Sequence, residues 1–447
     1  MHLDVIFKAY DIRGRVDTGE LTASVYELVG AALVELTFAS RVAVGRDCRA
    51  SSPGFFEAMA AGVVRAGADV IDLGEVPTDA VYWYSGAHSA PGAMITASHN
   101  PPEYNGLKLC REGASPIGAD TGLAEIKESV AAGRAAAADA AGAVSSVDAV
   151  GDYVDHLLTV VDPGRIGPLR VAVDGGNGMA GVAVERVFDR LAAELSGLYL
   201  EPDGAFPNHP ADPLVPENLA DLEALMADDG GFDLGVAFDG DADRAFFLDD
   251  EGDALSGSTV TSLIAKRMLR SSPGDSVVHN VITSRATAEI VREAGGEPVR
   301  TRVGHSFIKA VMAETGAVFG GEHSGHYYFR DHYRADSGML AMLVLLEVLS
   351  GAGEPLSELR KSVERYAASG EINFEVADAA AASARVEAEF AGAEIDRLDG
   401  LTVDLGEEWL NLRPSNTEPL LRLNVEAPSA GRVEELVTTV RGIVEGM

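Results

Sequence analysis

Short apolar runs alternate with helix-length segments along most of this chain, and that alternation limits its possible folds more than any other feature. Arg41-Val-Ala-Val-Gly45 and Val70-Ile-Asp-Leu73 read as strands, with helical periodicity over 16–38 and 54–66. Asp47-Cys-Arg-Ala-Ser-Ser-Pro53 has the polar residues and proline that open a helix. Strands separated by helices predict a mostly parallel, doubly wound N-terminal sheet. An Ala/Gly/Ser-rich stretch ending near residue 146 reads as a linker, and a helix over 148–161 begins the next domain. The rhythm returns at Leu169-Arg-Val-Ala-Val173, at Phe232-Asp-Leu-Gly-Val-Ala-Phe238, and in a third segment with strand Ser276-Val-Val-His279 and helices near 258–269 and 286–294. The last stretch differs, with a helix over 377–393, strands over 401–404, 409–412 and 420–425, and a helix over 431–444. The expected organisation is therefore α/β domains at 1–146, 147–250 and 251–366, then a smaller C-terminal α+β domain at 367–447. A length of 447 residues suffices for several domains with cores of their own.

Charge narrows the partners. The formal net charge is -35, which argues against nucleic acid, because a phosphate backbone needs a basic face. Lysine is confined to Lys8, Lys108, Lys127, Lys266, Lys309 and Lys361. An anionic substrate would meet a repulsive global field, so cations placed in loops become candidates for binding it. No apolar run reaches membrane-spanning length, and the N-terminal residues lack signal-peptide architecture. With two cysteines, Cys48 and Cys110, no disulfide framework can form. These features predict a cytoplasmic protein, without nucleic-acid or membrane partners.

Several loops carry chemistry. Thr96-Ala-Ser-His-Asn-Pro-Pro102 follows an apolar run and places Ser98 on a stiff turn beside His99 and Asn100, with Lys108 ten residues on. A hydroxyl held this way suits covalent catalysis, although loops of this composition are also ordinary surface turns. Asp239-Gly-Asp-Ala-Asp-Arg244 sits between two apolar strands. Three carboxylates there would be costly uncompensated, and all-oxygen ligands favour Mg²⁺. An EF-hand is excluded, because Arg244 stands where that loop needs glycine and strands, not helices, flank it. Gly176-Asn-Gly-Met-Ala-Gly181 fits the dinucleotide fingerprint between strand and helix, with Glu201 expected to close the next strand. It supports an NAD-dependent oxidoreductase as a rival, the plain alternative being a glycine-rich packing turn. Gly321-Glu-His-Ser-Gly-His326 alternates polar residues with glycine, which suits a polyhydroxy ligand. A zinc site on His323 and His326 is the competing reading, but the sequence offers no convincing further ligands. Arg413-Pro-Ser-Asn-Thr417 has the backbone amides, hydroxyls and arginine of a phosphate nest.

These loops together, in this order, resemble the α-D-phosphohexomutase family, in its phosphomannomutase/phosphoglucomutase branch. Lys8-Ala-Tyr-Asp-Ile-Arg-Gly14 is similar to that family's N-terminal motif. The resemblance spans essentially the whole chain and implies three similar mixed-sheet α/β domains plus a smaller C-terminal α+β domain around a central cleft. It implies an isomerase that moves a phosphoryl group between the 1- and 6-positions of a hexose through phosphoserine 98 and a hexose 1,6-bisphosphate, which also serves as activator. Ser98, Asp239, Asp241 and Asp243 would hold Mg²⁺. Lys108 and Arg13 would flank the reacting hydroxyl, Lys108 as general acid/base, with Arg244 adding charge and His99 assisting. Substrate contacts would come from Tyr10, Arg302, His305, Glu322, Ser324, His326, Arg413, Ser415, Asn416, Thr417 and Arg422. The family's glycine turn at 175–181 binds no NAD, which demotes the oxidoreductase reading. Some members carry a lysine within the segment matching Asn280-Val-Ile-Thr-Ser284, and this chain has none. Glu103-Tyr-Asn-Gly-Leu-Lys108 looks like the mannose/glucose branch rather than the phosphoglucosamine mutase branch. The intact Ser98, aspartates and Lys108 speak against a non-catalytic sugar-phosphate-binding protein. The expected assembly is a monomer or homodimer.

Overall fold

The computed structural model describes residues 3–134, 138–414 and 420–446. The chain forms two compact units, one of residues 1–255 with 324–357, the other of 256–323 with 358–447.

In the first unit, the strands Arg41–Arg46, Asp69–Glu75 and Gly92–Ile95 run parallel. Helices Ala23–Thr37, Ser52–Arg65 and Thr78–His88 connect or flank them. The sheet is mixed rather than mostly parallel. Tyr104–Arg111 returns antiparallel beside Gly92–Ile95, and Ile12–Arg15 pairs antiparallel with Tyr104–Arg111. Part of the segment read as helix over 16–38 is a turn, and the helix begins only at Ala23. Lys108 is therefore not on a loop. It lies in a strand opposite Met94, on a backbone fixed by the sheet.

A second sheet has the strand order Ala245–Leu248, Leu234–Phe238, Arg170–Asp174, Glu194–Leu198. Leu234–Phe238 is buried at every position, as a strand covered on both faces must be. It pairs antiparallel with Ala245–Leu248, so the aspartates lie on the turn between two strands, as the sequence predicted. Glu201 does not close a strand, because the strand Glu194–Leu198 ends before it. The glycines of the fingerprint serve packing: a Cβ on Gly178 would lie 2.6 Å from the Gly240 carbonyl oxygen, and one on Gly181 only 1.6 Å from that of Leu200. The helix Gly338–Ala352 is apolar on nearly all sides and buried along most of its length. That pattern carries no amphipathic signature to mark a surface helix. Ser337 caps it by accepting the Leu340 amide.

In the second unit, Ser276–Asn280 runs parallel to Glu297–Thr301 and Phe319–Gly321, with helices Gly257–Ser271, Arg285–Glu293 and His305–Thr315. Arg300 falls in a strand, and the helix opens at His305. The C-terminal strands Ile372–Glu375, Leu420–Ala427, Trp409–Pro414, Leu401–Asp404 and Glu394–Asp396 form an antiparallel sheet. Its apolar side chains form one core with those of helices Ala379–Glu389 and Ala430–Glu445. Among the described residues no helix is long and apolar enough to cross a membrane.

Candidate active site

The site grows from two turns pressed together. Ser98 follows the strand Gly92–Ile95 and has φ +51°, unusual for a residue with a side chain. Its amide donates to Thr96 Oγ1 at 2.9 Å. Gly240 lies against its carbonyl, and a Cβ there would stand 2.5 Å from that oxygen. The glycine within the aspartate turn is thus what lets the serine loop approach.

Arg49 holds the loop from beneath. Its guanidinium donates to the carbonyls of Ser98, Asn100, Pro101 and Tyr104 at 2.6–3.1 Å and to Asp47 Oδ2 at 2.9 Å. Arg49 is 1% exposed. The sequence reading saw only a helix opening in this segment. Nothing in a single sequence tells an arginine that gathers carbonyls from one that faces water.

Ser98 Oγ donates to Asp239 Oδ2 at 2.7 Å and lies 3.3 Å from His99 Nδ1. Asp239, Asp241 and Asp243 are all buried. Burial, with Asp241 and Asp243 nearby, raises Asp239 to about 7 even though Arg244 opposes it. Arg244 Nε donates to Asp239 Oδ2 at 2.9 Å. Lys108 Nζ donates to Asp241 at 2.7 Å and also to Asp243. Burial alone would favour the neutral amine, but the three carboxylates outweigh it and keep Lys108 an ammonium. Burial and the charges of Arg244 and Arg13 push His99 well below its ordinary value, so its ring is neutral. Thr78 fixes the turn from another side, its hydroxyl donating to Asp241 Oδ2 at 2.6 Å. Arg13 donates to Asn100 Oδ1 at 2.6 Å and to Asp11 at 2.7 Å. Tyr10 is half-buried in the turn that Lys8 and Asp11 close.

The three aspartates offer oxygens within 4.8 Å of one another. Asp241 Oδ1 is buried without a hydrogen bond, so the residues present fit a hard divalent cation. Chemically, the arrangement sets an oxygen nucleophile beside a cation site and two fixed positive charges.

The other predicted residues fall in two places. Ser324 and His326 belong to the same unit as Ser98, with Ser324 Oγ 2.9 Å from His326 Nδ1. In the second unit, Glu322 accepts from the Gly304 amide at 2.9 Å and from Asn280 at 3.3 Å. Arg302 stacks over Phe307, and His305 begins its helix. Arg413 and Arg422 both pair with Glu371, at 2.9 and 3.2 Å, an acid that the sequence reading passed over. Ser415, Asn416 and Thr417 lie outside the described residues.

Comparison with known proteins defines first the class and then the family. Four consecutive stretches match phosphoglucomutase/phosphomannomutase domains: alpha/beta/alpha domain I at 4–137, domain II at 151–252, domain III at 256–366 and the C-terminal domain at 371–443. The fold and these matches make the chain an enzyme of the phosphohexomutase class, an isomerase. It belongs to the phosphoglucomutase/phosphomannomutase family. It is 43% identical to the phosphohexose mutases of Xanthomonas campestris pv. campestris, over 98% of this chain and 99% of that protein. It is 40% identical to a phosphomannomutase of Salmonella montevideo, over 94% of each. The crystal structure of a phosphoglucomutase/phosphomannomutase family protein from Burkholderia thailandensis is similar with a TM-score of 0.88 and 33% identity, over 100% of this chain and 98% of that one.

Replacing Arg49 by Met should cost about 3–5 kcal/mol, the usual penalty for breaking a buried pair and stranding its partner. Arg49→Lys should recover little, because an ammonium cannot reach four carbonyls at once. Urea unfolding measures both, and a loss below about 0.5 kcal/mol for Arg49→Met would contradict the role given to this residue.

Proposed function

We propose that this enzyme interconverts hexose 1-phosphates and hexose 6-phosphates, of mannose and of glucose, through phosphoserine 98 and a hexose 1,6-bisphosphate. The observation that carries the reading is the buried contact between Ser98 Oγ and Asp239, flanked by Lys108 and Arg244. Phosphoserine 98 gives its phosphoryl group to the free hydroxyl of the sugar phosphate: the Oγ–P bond breaks and the sugar O–P bond forms. Lys108 sheds its proton to solvent, accepts that of the hydroxyl and returns it in the second transfer, and Arg13 flanks the same hydroxyl. His99, Arg302 and His305 position the reactants, and Arg244 stabilises charge on the transferring group. The bisphosphate then turns around and returns its other phosphate to Ser98. Ser98, Asp239, Asp241 and Asp243 would hold Mg²⁺, which when bound neutralises the transferring phosphoryl group. Arg413, Ser415, Asn416, Thr417 and Arg422 hold the phosphate that is not reacting, and Tyr10 and His326 complete the substrate contacts. A hexose 1,6-bisphosphate also serves as activator by restoring phosphoserine. The proposed setting is the cytoplasm and the proposed assembly a monomer or homodimer.

Asp241→Ala should lower kcat by on the order of a hundredfold or more, as loss of electrostatic stabilisation does, and leave the circular dichroism spectrum unchanged. Excess chelator should have the same effect on the parent enzyme. Full turnover under either condition would refute the metal role.

The range of sugars follows from the reversal. Both phosphates must be held in turn by the residues of the 413–417 segment, so sugar contacts must survive an exchange of ends. Glu322 and Ser324 do so if they hold O3 and O4, which roughly swap places on reversal. That pair leaves C2 unread, the only centre at which mannose and glucose differ. A site built for one hydroxyl can discriminate by ~10⁴-fold, whereas here kcat/KM for the two sugars should agree within roughly a hundredfold, about 2.7 kcal/mol. Glu322→Ala should depress both together. Loss of one sugar alone would contradict this assignment.

A further inference from the structure

The geometry points to a second cation site, formed by Asp243, His326 and Asp336, which takes a transition-series divalent cation and shares Asp243 with the three-aspartate site. The sequence offered His326 no companion ligands. The fold supplies them, one from the aspartate turn far along the chain and one from the strand Ala335–Asp336, ten residues on.

His326 Nε2 lies 3.7 Å from Asp243 Oδ1 and 3.9 Å from Asp336 Oδ2. These distances are too long for hydrogen bonds and close to the spacing of two ligands around one ion, about 3.4 Å for tetrahedral bonds of ordinary length. One candidate ligand atom from each of the three residues lies within 4.8 Å of the others. Asp243 is 2% exposed and Asp336 also 2%. Asp243 Oδ1, which faces the imidazole, makes no hydrogen bond, and a buried carboxylate oxygen without a donor is costly. Its other oxygen is bonded to Lys108 in the first cluster, so the two oxygens of one carboxylate face two different groups. A bridging carboxylate needs that arrangement.

Donor chemistry separates the two sites. Asp239, Asp241 and Asp243 supply oxygen alone, which suits a hard ion, whereas an imidazole with two carboxylates suits Co²⁺, Zn²⁺ or Mn²⁺. Ser324 Oγ, 2.9 Å from Nδ1, can accept the Nδ1 proton and leave the Nε2 lone pair directed at the two acids. Histidine ligands of metals are commonly oriented by such a partner. His326 and Asp336 are held by regular structure: the His326 backbone forms a bridge with Arg244, and Tyr327–Phe329 pairs with Ala335–Asp336. A cation on Nε2 and a sugar hydroxyl on the same atom exclude each other, so occupancy slows turnover. That consequence rests on the substrate role proposed above for His326. The site itself does not.

Visible absorption of bound Co²⁺ tests the site on the full chain at saturating Mg²⁺. One equivalent of Co²⁺ should bind and give ligand-field bands that further Mg²⁺ does not remove. His326→Ala and His326→Gln should each abolish the bands, and thermal unfolding would verify that both variants are folded. Asp336→Asn should weaken Co²⁺ binding at least tenfold. Asp239→Asn, which alters only the first cluster, should leave the bands in place. Bands that survive both His326 variants, bands lost in Asp239→Asn, or stoichiometric displacement of Co²⁺ by Mg²⁺ would overturn the second site. None of these readouts depends on mutase activity, so failure of the proposed reaction would leave them unaffected.

Discussion

Three carboxylates brought together out of water must be balanced by positive charge, and the first unit of this protein is built around that requirement. Asp239, Asp241 and Asp243 are each buried, where an unpaired ion costs several kcal/mol. Lys108 and Arg244 answer them directly. The two cations come from different elements, Lys108 from the strand Tyr104–Arg111 and Arg244 from the end of the aspartate turn, just before the strand Ala245–Leu248. Neither can leave without exposing charge that the other cannot cover. The same excess of negative charge suits the turn to a metal ion, and burial raises the Asp239 carboxyl to about 7 although Arg244 opposes it.

Around this balance, backbone approaches backbone without side chains between. Gly240 touches the carbonyl of Ser98, and Gly178 touches that of Gly240. Three loops from two sheets are thereby stacked, and the Met179 amide donates to the Gly240 carbonyl at 2.9 Å. Arg49 closes the stack by binding the carbonyls on the far side of the serine loop. The site is therefore preorganised by contacts that involve none of the reacting groups.

What the sequence revealed and what it hid separate along a physical line. Asp239-Gly-Asp-Ala-Asp-Arg244 between two apolar runs could be read as a turn between strands, because burial and charge conflict there locally. The roles of Arg49 and Glu371 could not, because each is defined by partners far away in the chain. The antiparallel return of Tyr104–Arg111 was hidden by the prolines and asparagine just before it, which read as continued loop. Gly338–Ala352 was hidden for the opposite reason: apolar on all sides, it has no periodic face. The glycine fingerprint at 176–181 was ambiguous on its own because close packing and dinucleotide binding demand the same residues.

The central claim is that Ser98 carries the phosphoryl group between turnovers, and the most direct measurement is to locate phosphate on the protein. After incubation with a hexose 1,6-bisphosphate, intact-mass and peptide analysis should show one phosphoryl group on Ser98, and adding excess sugar monophosphate should discharge it. Phosphate on another residue, together with turnover surviving in Ser98→Ala, would contradict the account.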